Sequence, residues 1–442
     1  MGTEAEFLRY HSVAKSYGGS GIDESTCVQQ TIDGGFIIAG GTTSVDGDIT
    51  TNHGAYDYWI LKLSSTGTIQ WQKTFGGSGN DNAYYIRQTF DSGYIVAGQS
   101  SSDDGEVTGH HGGAGSSDFW IVKLSVSGNM QWEKSFGGSM NDDPAFIEQT
   151  SDSGFIIAGD TYSTDGDVTG NHGGEDYWVV KLSSNGSLQW EKTLGGSGSD
   201  YAQSVRQTTD GGYILSGGSN STDMDITGNI GHGDFWIVKL SSSGTIQWQK
   251  SLGGTSDDVG TCISLTYEGG YIVTGWVSSN DIDVTGFHGT TDYWVVKLTS
   301  SGAIEWQKDM GSLGLEAAWD VEPTRDSGYI IAGYTFFIGG DVTFNHGDND
   351  VWIVKLKPPS IESVVPVVYT PISITPNPAT DNIFVSGSNV ARVYIFNVLG
   401  QLVKVAGYSD TVSISDLSNG MYLIKLSDEN GLVIKVEKII KE

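Results

Sequence analysis

A tripeptide ending in Trp returns six times along the chain, as Asp57-Tyr58-Trp59, Asp118-Phe119-Trp120, Asp176-Tyr177-Trp178, Asp234-Phe235-Trp236, Asp292-Tyr293-Trp294 and Asp350-Val351-Trp352. The steps between these Trp are 61 residues once and 58 residues four times. A fixed period of this length marks a repeat architecture, in which each unit buries its apolar face against its neighbours. Twelve residues after each of the first five comes a second Trp, at Trp71, Trp132, Trp190, Trp248 and Trp306. The sixth unit has none, because the chain leaves at Lys357-Pro358-Pro359.

Each unit reads as four strands. In the first, residues 24 to 32 lead to the turn Asp33-Gly34-Gly35, residues 36 to 42 follow, a long loop spans about 43 to 56, residues 57 to 63 form a third strand, and Thr66-Gly67 turns into residues 68 to 75. Short β-branched and aromatic runs between Gly, Asp and Ser turns are the grammar of antiparallel strands. A four-stranded unit of this size suits a propeller blade. Residues 12 to 19, SVAKSYGG, align with QWQKTFGG at 70 to 77, so an outer-strand sequence precedes the first full unit while the last unit lacks one. A ring can pair the two and remove two exposed edges. The expectation is an all-β chain: a six-bladed β-propeller over 1–358, closed by the N-terminal strand, a Pro-rich linker over 359–371 and a small β domain over 372–442.

Charge narrows the function classes. The 442 residues carry a net charge of -30, and residues 1–358 hold 17 Lys and Arg against 45 Asp and Glu. Twelve of those 17 bases recur at two fixed places in the repeat, Lys62 and Lys73 being the first pair, which predicts structural lysines laying their stems between blades. No basic patch is left for phosphate, which excludes sequence-independent nucleic-acid binding. No run approaches the ~18 apolar residues of a membrane span. The start, MGTEAEFLRYHSVAKSYGG, lacks a basic stretch followed by an apolar one, so the expectation is either retention inside the cell or a start after a removed signal.

Carboxylates repeat in two sets. One follows the outer strand: Asp23, Asp81, Asp142, Asp200, Asp258 and, by substitution, Glu316. The other lies in the long loop: Asp48, Glu106, Asp167, Asp225, Asp283 and Asp341. Both loops emerge on one face of a blade, so both sets are expected at one rim. Loops such as Thr164-Asp165-Gly166-Asp167 offer the oxygens that calcium needs, without the full EF-hand spacing. The alternative is that these side chains cap their own turns. A His stands near the end of the same loop, at His53, His111, His172, His288 and His346, with His232 displaced. One His per blade does not make a zinc site, so the expectation is a turn or packing residue. Cys27 and Cys262 sit two blades apart and are expected as free thiols.

A unique site in a repeat protein shows as departure from the repeat. Trp276 and Tyr334 stand where the earlier units have Gly41 and Gln99; Phe336 and Phe337 replace Thr43 and Ser44; Phe287 and Phe344 enter the Asn-His-Gly loops. Aromatics beside acidic loops suit stacking on sugar rings or a protein partner, and the alternative is loop packing between two blades. Catalysis is disfavoured on the sequence, because no carboxylate pair stands out from its repeat neighbours. Four Arg in the repeat region, Arg9, Arg87, Arg206 and Arg325, and loops reading SVDGDIT and STDGDVT do not supply a sialidase-like arginine triad and its SxDxGxTW box.

The tail differs in composition. ISITPNPATDNIFVSG at 372–387, VYIFNVLGQLVKV at 393–405, ISDLSNGMYLIKL at 414–426 and VIKVEKIIKE at 433–442 resemble the type A C-terminal sorting domain of the bacterial type IX secretion system. The residues that carry the resemblance are Pro376, Asn377, Pro378, Gly400, Gly420 and Tyr422. The resemblance implies an immunoglobulin-like sandwich, contact with the outer-membrane translocon and its sorting machinery, a Bacteroidetes-type host, a removed signal peptide and a place on the outer-membrane surface or outside the cell. The repeats themselves resemble bacterial surface repeats with GGSGxD and DGGY signatures, which implies architecture but no activity. The leading reading is a secreted, non-catalytic binding protein for glycan or protein, with calcium as a possible aid. The alternatives are an extracellular polysaccharide hydrolase and a passive surface repeat.

Overall fold

A computed structural model describes residues 14–113, 115–357, 372–386, 390–398, 401–407, 411–428 and 433–442. Two compact units divide at Pro358/Pro359, and the linker expected over 359–371 lies outside the described residues.

The first unit is a succession of antiparallel meanders. Sheet one runs Asp23–Gln30, Phe36–Thr42, Asp57–Leu63 and Ile69–Phe75, each strand paired with the next. Sheets two to five repeat this order over 81–136, 142–194, 200–252 and 258–310, and a sixth sheet has three strands, Glu316–Pro323, Tyr329–Thr335 and Asp350–Leu356. The described residues contain no helix. These are propeller-like blades, as the repeat predicted. A bulge interrupts every first strand two residues in, as between Ser25 and Cys27, and re-aims the residues after it.

Neighbouring sheets are joined by one recurring aromatic contact. The ring before each third-strand Trp stacks on the Trp of the following sheet: Tyr58 on Trp120, Phe119 on Trp178 and Tyr177 on Trp236 at 4.6 Å between centroids, then Phe235 on Trp294 at 4.8 Å and Tyr293 on Trp352 at 4.6 Å. Where the ring is Tyr it also donates to the carbonyl of that Trp, at 2.8 Å from Tyr58 and 2.9 Å from Tyr177. Such pairs add about 0.5–1.5 kcal/mol each beyond the area they bury. The outer Trp makes a second clasp. Trp71 packs edge-on against Tyr94 of the next sheet, and its ring also lies under the third turn there, where a Cβ on Gly128 would stand 2.8 Å from it. Gly128 is further required by its φ of 76°.

The strand lysines are structural, as expected. Lys62 is buried and donates to Asp33 at 2.9 Å, to the Leu63 carbonyl at 3.0 Å and to Gln70 at 2.9 Å; Lys123, Lys181 and Lys239 repeat the set. The two cysteines are free.

The two ends of the array differ from its middle. Described residues 14–22 form no strand, which departs from the expected N-terminal closing strand; Lys15 and Tyr17 donate to the Gly67 carbonyl, so this segment lies against the turn that joins the third and fourth strands of sheet one. Sheet six presents Val351, 79% exposed, where the other sheets bury Tyr or Phe, because nothing equivalent to the next Trp stacks on it.

In the second unit two sheets share one core. Ser373–Thr375, Asn382–Ser386 and Thr411–Ser413 make one; Leu402–Gly407, Arg392–Asn397, Gly420–Ser427 and Val433–Lys441 make the other. Ile383, Val385, Val393, Ile395, Ile424 and Leu426 meet between them.

Candidate functional site

The first acidic set is built into the fold. Asp142 is buried and accepts from the Gly138 N–H at 2.8 Å, from the Ser163 hydroxyl at 2.9 Å and from Thr161. In sheet six Phe337 has replaced that serine, and the longer Glu316 takes hydroxyls from Ser312 and Thr335 at 2.7 Å instead. The second set also caps turns: Asp48 and Glu106 accept from Gly18 and Gly76 at 3.1 Å, Asp167 and Asp225 from Gly137 and Gly195 at 3.4 Å. Asp283 and Asp341 hold the same place through their backbone N–H groups on Gly253 and Gly311. These six lie one to a sheet, and none belongs to the one group of three potential metal ligands found among the described residues.

That group grows out of a motif the sequence reading took for packing. The Asp opening the third strand is buried in sheets one to five, and in four of these the loop His bonds it: His53 Nδ1 lies 2.8 Å from Asp57, His111 3.1 Å from Asp118, His172 3.2 Å from Asp176 and His288 3.1 Å from Asp292. Burial raises the Asp57, Asp118 and Asp176 carboxyls above their usual range, Asp176 to about 6. Asp234, with the His displaced and only the Ile230 N–H donating, is pushed by burial to about 7. Sheet five adds a second carboxylate. Asp309 stands where the other units have Thr74, Ser135, Thr193 and Ser251, and its Oδ1 lies 3.2 Å from His288 Nδ1. Burial and then the neighbouring Asp292 push the Asp309 carboxyl up to about 9. The signal in the sequence is one acid among hydroxyls at a fixed repeat position, a departure of charge rather than of aromaticity.

A second acidic departure was also missed. Asp160 occupies the position of Gly41, Gln99, Trp276 and Tyr334, and it hydrogen bonds Glu175, with Asp143 beside them. Burial and then Glu175 hold the Asp160 carboxyl well above the usual carboxylate range. Asp143 in turn accepts from the Ser117 hydroxyl at 3.0 Å. A carboxylate pair therefore does stand out from its repeat neighbours, against the sequence expectation.

The predicted aromatic site comes together only in part. Tyr334 and Phe336 meet at 6.0 Å, Phe336 and Phe337 at 6.4 Å, and Phe344 lies edge-on to His346 at 4.7 Å. Phe337 is 57% and Phe344 66% exposed. Phe287 packs into the core of sheet five, and Trp276 is half-buried between Val259 and Tyr293 in the sheet register.

The first strands place one more constellation in register. Gln29, Arg87, Glu148, Arg206, Ser264 and Glu322 share one position in the six sheets. Arg206 covers the Phe146 ring at 3.9 Å and reaches Glu322, two sheets on, at 4.0 Å. Arg87, Phe146, Glu148, Arg206 and Glu322 line a cavity of about 200 Å³. Two basic and two acidic groups face that cavity.

In the tail, Asn377 pins the last strand, donating to the Lys438 carbonyl at 2.8 Å and accepting from the Ile440 N–H at 2.9 Å, between Pro376 and Pro378. Tyr422 donates to Ser418 at 2.8 Å beside Gly420, while Gly400 lies outside the described residues. Phe396, Val398, Met421 and Leu423 line an apolar groove of about 480 Å³, edged by Lys425 and Lys438.

Comparison with known proteins finds no match among curated sequences. Among solved structures the chain is similar to BamB from Moraxella catarrhalis, with 13% identity, a TM-score of 0.31 and coverage of 96% of this chain and 99% of that one. It is also similar to the Pan2 WD40 domain of Neurospora crassa, at 11%, 0.39, 76% and 90%, and to the β-propeller domain of the Trilobed protease from Pyrococcus furiosus, at 8%, 0.38, 96% and 96%. Residues 373–442 match the family described as the secretion system C-terminal sorting domain. The chain therefore ends in a type IX secretion C-terminal sorting domain, joined to a propeller-like repeat region.

Proposed function

We propose that this is a secreted or surface-displayed binding protein whose repeat region offers a site for glycan or a protein ligand at the loop end of sheets five and six. The observation that carries the binding is the Tyr334-Phe336-Phe337 cluster, with Phe337 and Phe344 turned to solvent beside acidic loops. Aromatic faces take the C–H face of a sugar while neighbouring carboxylates accept its hydroxyls. The six sheets act in this reading as six blades of one ring, closed through the N-terminal segment. Two observations support it: that segment lies against the turn that joins the third and fourth strands of sheet one, and Arg206 faces Glu322 across the axis.

A glycan array probed with the full chain tests the binding. Phe337→Ala and Phe344→Ala should each weaken a positive signal about 2- to 10-fold, as loss of an exposed stacking platform of about 0.5–1.5 kcal/mol does, without moving the melting temperature. Binding that survives both changes places the ligand elsewhere. Deletion of residues 373–442 should leave the protein in the periplasm; surface display without the tail would remove the export half of the reading.

Asp143, Asp160 and Glu175 favour a second reading, a polysaccharide hydrolase in which the protonated Asp160 acts as the acid. Release of reducing ends that Asp160→Asn abolishes would establish it.

A further inference from the structure

We infer that His288, Asp292 and Asp309 form a binding site for a single transition-metal dication of the zinc or manganese kind, present in sheet five and in no other repeat. One ligand atom from each of the three residues lies within 4.8 Å of the other two. Both carboxylate side chains are fully buried, whereas the imidazole is 36% exposed at the rim, so an ion has a path in. Each carboxylate directs one oxygen at His288 Nδ1, at 3.1 Å from Asp292 and 3.2 Å from Asp309. Each also keeps a buried oxygen, Asp292 Oδ1 and Asp309 Oδ2, that has no donor among the described residues other than the opposing carboxyl. Two buried carboxyl groups whose inner oxygens face only each other beside one imidazole are costly as anions and become ligands when a dication neutralises them.

The repeat isolates the feature that makes the site. The His–Asp pair alone recurs in other sheets, and there the fourth strand supplies a neutral hydroxyl: Thr74 meets Thr51 at 2.7 Å and Thr193 donates to the Thr169 carbonyl at 2.6 Å, while the Ser135 hydroxyl has no hydrogen-bond partner among the described residues. Asp309 replaces that hydroxyl with an anion. A mixed nitrogen and oxygen set of three, open on one side, is the donor pattern of zinc with a fourth ligand from solvent, and manganese shares it. Calcium is disfavoured because it takes oxygen donors almost exclusively and six or more of them.

The full chain, stripped with chelator and dialysed, would be titrated with Zn²⁺, Mn²⁺ and Ca²⁺ by calorimetry, with absorption spectroscopy of the Co²⁺ form as an independent readout. The expected result is one Zn²⁺ or Mn²⁺ per chain. Asp309→Thr restores the residue of the other repeats and should fold; it should weaken uptake by more than about 100-fold, beyond what outer-shell changes cost, and abolish the Co²⁺ spectrum. His288→Asn should do the same. No uptake by the parent chain would overturn the site and leave a proton shared by the two carboxyls. Uptake unchanged in Asp309→Thr, or at several equivalent His–Asp pairs, would overturn the assignment to sheet five; uptake of Ca²⁺ alone would overturn the class of metal.

Discussion

At the scale of single residues the protein combines two opposite kinds of carboxylate. Asp152 and Asp210, in the tight turns, are held down to about 2: neighbouring hydroxyl, backbone and lysine donors outweigh the upward pull of burial. Their contribution is present above the unfolded carboxylate range and is lost as pH falls through that range toward 2. Asp142 and Asp176 at about 6 and Asp234 at about 7 are raised by burial, so the folded chain holds more protons than the unfolded one between about pH 4 and 7. Stability from these groups falls as pH rises through that window. The melting temperature should accordingly peak near pH 4–5 and decline toward pH 8, and Asp234→Asn should flatten the decline; a melting temperature rising steadily to pH 8 would contradict the assignment. Lys181 allows a separate check. Its ammonium satisfies the Leu182 carbonyl, Gln189 and Asp152 at once, so Lys181→Ala should lower unfolding free energy by about 1–3 kcal/mol, read from a denaturant melt. The type and spacing of these lysines were legible in the sequence. The pairing of His with the buried Asp was not, since only the folded loop brings Nδ1 back onto the strand.

At the scale of the element, the repeat is a sheet made to be covered on both faces. The third strand is buried along its whole length in sheets one to three, and its aromatic and Trp point in opposite directions, one forward and one back. Period-two alternation assigns those directions, which is why strand boundaries could be read within two residues from the sequence. The bulge in the first strand was not read from the sequence, although a second-strand Gly faces it in every sheet: a Cβ on Gly40 or Gly98 would stand 1.9 or 2.0 Å from the first-strand backbone. The outer turn is where an element and an interface share one residue. Gly186 has a φ of 80°, and a Cβ there would lie 2.9 Å from Trp132 of the preceding sheet. Gly186→Ala should cost at least about 1–2 kcal/mol from the backbone alone and should shift Trp fluorescence; an unchanged melt would mean that Trp132 moves freely aside.

At the scale of the whole molecule, the open question the fold poses is the seam between sheet six and sheet one. If the ring closes as proposed, Val351 meets the face carrying Trp59 and Leu61, and Val351→Lys should destabilise by about 2 kcal/mol or more, as burial of an unpaired charge does. A neutral effect would mean that sheet six ends the array openly. The sequence by itself determined the repeat, its four strands, the acidic surface, the structural lysines and the sorting tail. Each of these is encoded locally, in spacing, alternation or a contiguous motif. Only the tertiary structure decided which departures from the repeat meet. It set Asp309 beside His288 and Asp292, joined Asp143, Asp160 and Glu175, brought Arg206 to Glu322, and packed Phe287 against the core of sheet five. Those contacts join residues from 4 to 116 positions apart, through loop return and strand pairing, and no local pattern specifies where such side chains end.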